Sequence, residues 1–190
     1  MAVDRFNRRR PVLREVKSRG ASGRDVEWLS KTLLQLAETY VEELKTNLMD
    51  DLVSVVLFGS VARGEATPYS DIDLFIVVKD LPRGRVARLE RLRGAERRIE
   101  QRLKDLHGMG IYSDVCPILK TPEEASRIRP LYLDFVEDAL FLYDRDGFFG
   151  DVLGRLKGRL RELGSVRRRM GKVRYWELKP DLRPGEVFEL

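Results

Sequence analysis

Apolar residues in the first third of the chain recur at helical spacing. Val26, Leu29, Leu33, Leu36, Tyr40, Val41, Leu44 and Leu48 fall on one stripe, which predicts a long helix from Ser22 to about Asp50. The period then changes. Leu52 to Phe58 is a short β-branched and apolar run that stops at Gly59-Ser60, the pattern of a buried strand. The turn-rich stretch RGEATPYS leads into DIDLFIVV, a second strand with an acidic start and a buried finish. After a loop at Leu81 to Gly84, the helical period returns in Val86, Leu89, Leu92, Ala95, Ile99, Leu103 and Leu106. Ile111 to Leu119 reads as a third strand, and Pro117 inside it argues for an edge or bulged position. The rest predicts short helices from Pro122 and from Pro130 to Asp138, a strand ALFLY, a helix from about Asp146 to Leu163, and a tail. Helix, strand, turn, strand, helix, strand is the order of a small α/β core. The expected organisation is a basic arm over residues 1–22, a core over 23–120 and a helical and strand extension over 121–190.

Composition narrows the chemistry. With 43% hydrophobic residues the 190-residue chain can bury a core. Its longest apolar runs, Leu74 to Val78 and Ala139 to Tyr143, are five residues, far short of the about 20 that a membrane span needs. The start of the sequence has no apolar h-region, so a secretory signal is not expected and a cytoplasmic location is. One cysteine, Cys116, and one histidine, His107, exclude an internal disulfide and a Cys/His zinc site. Chemistry must therefore come from carboxylates, hydroxyls and cations. The 36 basic residues outnumber the 31 acidic ones, and 27 of them are arginine. That bias, with Asn and Gln scarce, fits a thermophile or a GC-rich genome. The arm carries Arg5, Arg8, Arg9, Arg10, Arg14, Lys17 and Arg19, either as a solvated tail or as a hold on a polyanion.

The informative segment is Leu57 to Val78. A strand running into Gly59-Ser60 offers backbone N–H groups to an anion, and glycine allows a phosphate to come close. The Ser60 hydroxyl adds a donor, and Arg63 can face the same pocket. Asp71 and Asp73 follow, two apart on a strand and so on one face, with Ile72 and Leu74 directed into the core. Carboxylates about 7 Å apart along a strand repel each other unless a cation lies between them, and Mg²⁺ prefers oxygen ligands. A Gly-Ser pair can also be an ordinary turn, and acids are common at strand starts; the joint pattern is the specific one.

That pattern resembles the DNA polymerase beta-like nucleotidyltransferase superfamily, in its minimal nucleotidyltransferase type. Gly59-Ser60 and Asp71-Ile72-Asp73 carry the resemblance, Ala62-Arg63-Gly64 and Ser70 fit it, and it covers about Val26 to Leu119. It implies a mixed α/β (α+β) fold with a small mixed sheet flanked by helices. The implied reaction transfers a nucleoside monophosphate from an NTP, ATP foremost, to a hydroxyl, releasing pyrophosphate with two Mg²⁺ ions. Gly59 and Ser60, with Arg63, would bind the nucleotide's phosphates, and Asp71 and Asp73 the metals. The family's third carboxylate on a later strand has its candidate in Asp114, whose flanks Ser113 and Val115 meet the pattern by half; without it the chain would bind nucleotide without turning it over. The acceptor stays open between an RNA end, a partner protein and an antibiotic, the last as in kanamycin nucleotidyltransferase. A different class of reading is an interaction protein, the antitoxin partner of a HEPN-type ribonuclease, with or without AMP transfer to it.

Four further features carry expectations. His107 complements a helix C-terminus, and Cys116 fills a small core position. Gly150, Gly154 and Gly158 recur every four residues, which suggests either close packing of that helix, for instance in a homo-oligomer, or a segment less helical than its pattern. In the tail, Arg167, Arg168, Arg169, Lys172 and Arg174 stand beside Tyr175 and Trp176, either as a nucleic-acid surface or as a strand whose aromatics pack on the core.

Overall fold

The computed structural model describes residues 23–171 and 173–190, so the basic arm lies outside the described residues, as does Lys172. The predicted first helix is α1, Gly23–Leu48. Its stripe from Leu29 to Leu48 is buried against one face of a four-stranded sheet. The sheet order is β3-β2-β1-β4, built from β1 (Leu52–Phe58), β2 (Ile72–Val78), β3 (Val115–Lys120) and β4 (Leu140–Asp144). β1 pairs antiparallel with β2 and β4, and β2 pairs parallel with β3, so the sheet is mixed. Pro117 lies on β3, an edge strand, where its missing N–H costs no ladder bond.

Strand alternation divides two cores. Ile72, Leu74, Ile76 and Val78 face α1, while Phe75 and Val77 face the opposite layer. That layer is α6 (Tyr132–Asp138) and α7 (Phe148–Glu162), following the single turn α5 (Pro122–Ala125). Phe75, Tyr132, Phe135 and Phe149 form an aromatic cluster with ring centroids 4.8–6.1 Å apart. Asp73 shares the Phe75 face, so the acidic start of β2 is an extension of the aromatic layer's side of the sheet.

Three local outcomes differ from the pattern. The helix expected over Val86 to Leu106 is broken into α3 (Arg85–Glu90) and α4 (Arg93–Gly108). Asn47 of α1 is wedged at the break: its amide donates to the Arg91 carbonyl at 2.8 Å, and a Cβ on Gly94 would come within 2.1 Å of its Oδ1. The third strand begins at Val115, where the pairing with β2 starts, and Ile111 to Asp114 is not part of the strand. Of the glycine series only Gly150 has a close neighbour, the Asp144 carboxylate, which accepts from the N–H groups of Phe149 and Gly150 and caps α7. Gly154 and Gly158 face open space.

The tail forms an antiparallel hairpin of β5 (Val166–Met170) and β6 (Val173–Glu177). Trp176 packs on the second core, whereas Tyr175 is exposed. Among the described residues, no helix is long and apolar enough to cross a membrane.

Candidate active site

The site is made where β1 ends and β2 begins. Phe58 pairs with Asp73 across the antiparallel ladder, so the turn leaving β1 lies directly over the acidic start of β2. Gly59 takes φ +77, and a Cβ on it would come within 2.4 Å of Asp73 Oδ2. Only glycine meets both conditions. The chain continues into one helical turn, α2 (Gly59–Ala62). Ser60 donates its hydroxyl to Ser70 Oγ at 2.9 Å, and the same oxygen accepts from the Thr67 N–H, which closes the turn before Asp71.

On the other side β3 brings in the third acid. Parallel register sets Ile72 opposite Val115 and Asp73 opposite Cys116. One step earlier, the Ile72 N–H donates to the Asp114 carbonyl, and the Asp114 N–H donates to Asp71 Oδ1 at 3.3 Å. Buried Ser113 ties the two segments together by donating to the Ser70 carbonyl at 2.7 Å. Gly59, Ser60, Asp71, Asp73 and Asp114 are therefore drawn to one end of the sheet by hydrogen bonds of its backbone and turns.

Electrostatics marks this end. Desolvation, and then the Asp71 charge, push the Asp73 carboxyl above its ordinary range, with Arg63 opposing. Cys116 is exposed and lies on the carboxylate face, not in the core. Desolvation and the charges of Asp71 and Asp73 push its thiol up to about 11. The signal for this was alternation, since Cys116 stands two residues after Asp114 and shares its face. Among the described residues, no group of three or more His, Cys, Asp or Glu side chains is arranged to hold a metal ion. The donor set nonetheless fits Mg²⁺: it is all carboxylate oxygen, one acid is already penalised for its charge, and Gly59 keeps the space above Asp73 clear.

Arg63 is tied to the hairpin through Glu65. It donates to Glu65 at 2.9 Å, and Glu65 also accepts from Arg174 of β6 at 2.7 Å. Arg174 reaches Asp138, which is bonded by Arg167 of β5. A cleft of about 330 Å³ opens there, lined by Ala62, Arg63, Asp138, Leu140 and Arg174 among others. Arg168 is likewise bonded to Glu177. The hairpin's basic residues, read from sequence as a candidate nucleic-acid surface, are largely committed to acids of the same chain.

The nucleotidyltransferase domain family matches residues 37–142, the span that contains β1 to β3, the start of β4, and Gly59, Ser60, Arg63, Asp71, Asp73 and Asp114. The chain belongs to this family and is a nucleotidyltransferase enzyme, with a nucleoside triphosphate as substrate. A Methanocaldococcus jannaschii protein named as a protein adenylyltransferase is 34% identical over 138 residues, spanning 72% of this chain and 88% of that relative. Similar solved structures include a Shewanella oneidensis MNT antitoxin in complex with a tri-AMPylated HEPN toxin, at 17% identity and TM-score 0.39, covering 68% of this chain and 92% of that one. Another is a nucleotidyltransferase from Sulfolobus solfataricus, at 23% identity and TM-score 0.36, covering 68% and 94%.

Proposed function

We propose that this chain transfers AMP from ATP to a side-chain hydroxyl of a partner protein. The observation that carries the reading is Gly59 pressed on the Asp73 carboxylate, with Asp71 beside it and Asp114 bonded to Asp71. Asp71, Asp73 and Asp114 would hold two Mg²⁺ ions, which when bound neutralise triphosphate charge and make a hydroxyl easier to deprotonate. The backbone N–H groups of the Gly59-Ser60 turn bind the β- and γ-phosphates. Arg63, released from Glu65, adds a positive charge to the departing pyrophosphate. Asp114 takes the proton of the acceptor hydroxyl. The hydroxyl oxygen bonds to the α-phosphorus as the bond to the α–β bridging oxygen breaks, and pyrophosphate leaves on the opposite side.

A protein acceptor is favoured over an RNA end by two observations: the 34% identical relative is named as a protein adenylyltransferase, and three hairpin arginines, Arg167, Arg168 and Arg174, are in ion pairs. A HEPN-type ribonuclease, the pairing implied by the sequence resemblance, is the foremost acceptor, and it would make the chain an antitoxin. The test is calorimetry with Mg–ATP followed by incubation with α-labelled ATP and co-purified partner. Millimolar or tighter binding and label on the partner protein are expected. Absence of Mg–ATP binding at millimolar concentration sinks the reading.

A further inference from the structure

Two exposed tyrosines stand at the mouth of this site. Tyr69 is 56% exposed and Tyr112 54%, yet their rings stack on each other with centroids 5.9 Å apart and planes 11° from parallel. His107 backs Tyr112, with centroids 5.9 Å apart and a ring nitrogen 3.2 Å from the Ser113 carbonyl. The stack is built into the site's own backbone. Tyr69 is two residues before Asp71, Tyr112 is two residues before Asp114, and the Tyr112 N–H donates to the Pro68 carbonyl at 2.7 Å. Large rings stacked in water with neither buried in the core are available surface, not packing.

Their side of the sheet gives them a role. Across the sheet end the order is Gly59 after β1, then Asp73 and Asp71 at β2, then Asp114 before β3. In-line displacement puts the leaving pyrophosphate and the attacking hydroxyl on opposite sides of the α-phosphorus. With the pyrophosphate at Gly59-Ser60, the hydroxyl enters from the Asp114 side, where the stack stands. We propose that Tyr69 and Tyr112 form an acceptor-side shelf that seats a planar or apolar side chain of a polypeptide next to the hydroxyl being modified. The inference rests on the proposed adenylyl transfer and adds the residues that choose its acceptor. A nucleic-acid end is disfavoured because Arg167, Arg168 and Arg174, the basic residues that would hold a phosphate chain, are paired with acids of the same chain.

The test uses the full chain with Tyr ring carbons labelled for NMR, saturated with Mg²⁺ and a non-hydrolysable ATP analogue. Two probes are titrated, a tyrosine-containing pentapeptide amide and a diribonucleotide with a free 3′-hydroxyl. The expected result is that the peptide, and not the diribonucleotide, shifts the Tyr69 and Tyr112 signals. Peptide affinity should fall roughly fivefold in the Tyr69→Ala/Tyr112→Ala variant and return in the Tyr→Phe pair, as an aromatic contact of about 1 kcal/mol implies. Analogue affinity, measured separately by calorimetry, should stay within about twofold of the parent chain. Shifts caused by the analogue alone, with its affinity lost in the double alanine variant, would make the stack a nucleobase seat and overturn the proposal. Preference for the diribonucleotide, or no response to either probe, overturns it too. Failure of the parent chain to bind the analogue would instead count against the nucleotidyl-transfer reading.

Discussion

The start of β2 and the β5–β6 hairpin both concentrate charge, and the fold treats them in opposite ways. At the hairpin three of the four arginines find an acid: Arg167 is bonded to Glu137 and Asp138, Arg168 to Glu177, and Arg174 to Glu65 and Asp138, while Arg169 donates to the Gly171 carbonyl. At β2 the acids find one another. Asp71, Asp73 and Asp114 gather with Cys116, and the one opposing charge that acts on Asp73 among the described residues, Arg63, is already paired with Glu65. Compensated charge of the first kind holds a structure together. Charge left uncompensated costs free energy in the empty protein, and it persists where a cationic ligand relieves it.

The largest expected effect tests that distinction at Asp73. Asp73→Asn should reduce AMP transfer by roughly a thousandfold or more, as loss of several kcal/mol of metal-assisted stabilisation implies. Without Mg²⁺ the variant should melt at the same temperature as the parent or higher, because a disfavoured charge has been removed. Mg²⁺ should raise the melting temperature of the parent and not of the variant. A clear drop in stability without Mg²⁺ would show that Asp73 is compensated like the hairpin acids, and the comparison would fail.

Next in size is Gly59→Ala. The added methyl meets both an unfavourable φ and the Asp73 carboxylate, so a loss of about 1–3 kcal/mol in unfolding free energy is expected, together with most of the activity. Denaturant titration checks it. Restoration of stability in the Gly59→Ala/Asp73→Ala pair would locate the clash at that carboxylate. Smaller again is Arg167→Ala in the compensated region. It leaves the Asp138 carboxylate, 19% exposed, with the weaker Arg174 contact, and should cost about 2 kcal/mol without touching Mg²⁺-dependent stabilisation. Arg167 and Arg174 hold Asp138 below its ordinary range, so that contribution is complete at neutral pH and fades as acid protonates the carboxylate.

How much of this was legible in the sequence follows from distance along the chain. Gly59, Asp71 and Asp73 lie on one strand-turn-strand unit, where a period of two and a glycine suffice to place them. Asp114 needed the parallel register of β2 and β3, which no local pattern contains; only its spacing from Cys116 and Tyr112 was readable. The Tyr69–Tyr112 stack depends on the same register, and so was not foreseen. Arg174 and Glu65 are 109 residues apart, and nothing near Arg174 says that it is paired. The break between α3 and α4 was hidden because its cause, the Asn47 amide, comes from another helix. Periodicity reads what a segment does by itself, whereas a wedge, an ion pair or a register belongs to two segments at once.

The mildest test concerns a compensated pair remote from the hairpin. Glu124 is the third residue of a capping box with Thr121 and accepts two bonds from Arg88, at 2.6 and 2.8 Å. Arg88 also donates to the Pro82 and Leu119 carbonyls, so the pair fastens α3 to the end of β3. The Arg88 hydrogen bonds hold the Glu124 carboxyl down to about 2. A depressed carboxylate stabilises the fold above its unfolded value of about 4.3, and that stability is lost as pH falls through the folded value. Because the side chain is 38% exposed, solvent screening limits the worth of the pair to about 1 kcal/mol. Glu124→Gln should therefore lower stability by about that amount at pH 7, and the gap between variant and parent should close between pH 5 and pH 2. Mg²⁺ should leave the gap unchanged, since nothing at this pair awaits a cation; a gap that Mg²⁺ narrowed would mean that even a fully paired acid of this chain competes for the ion.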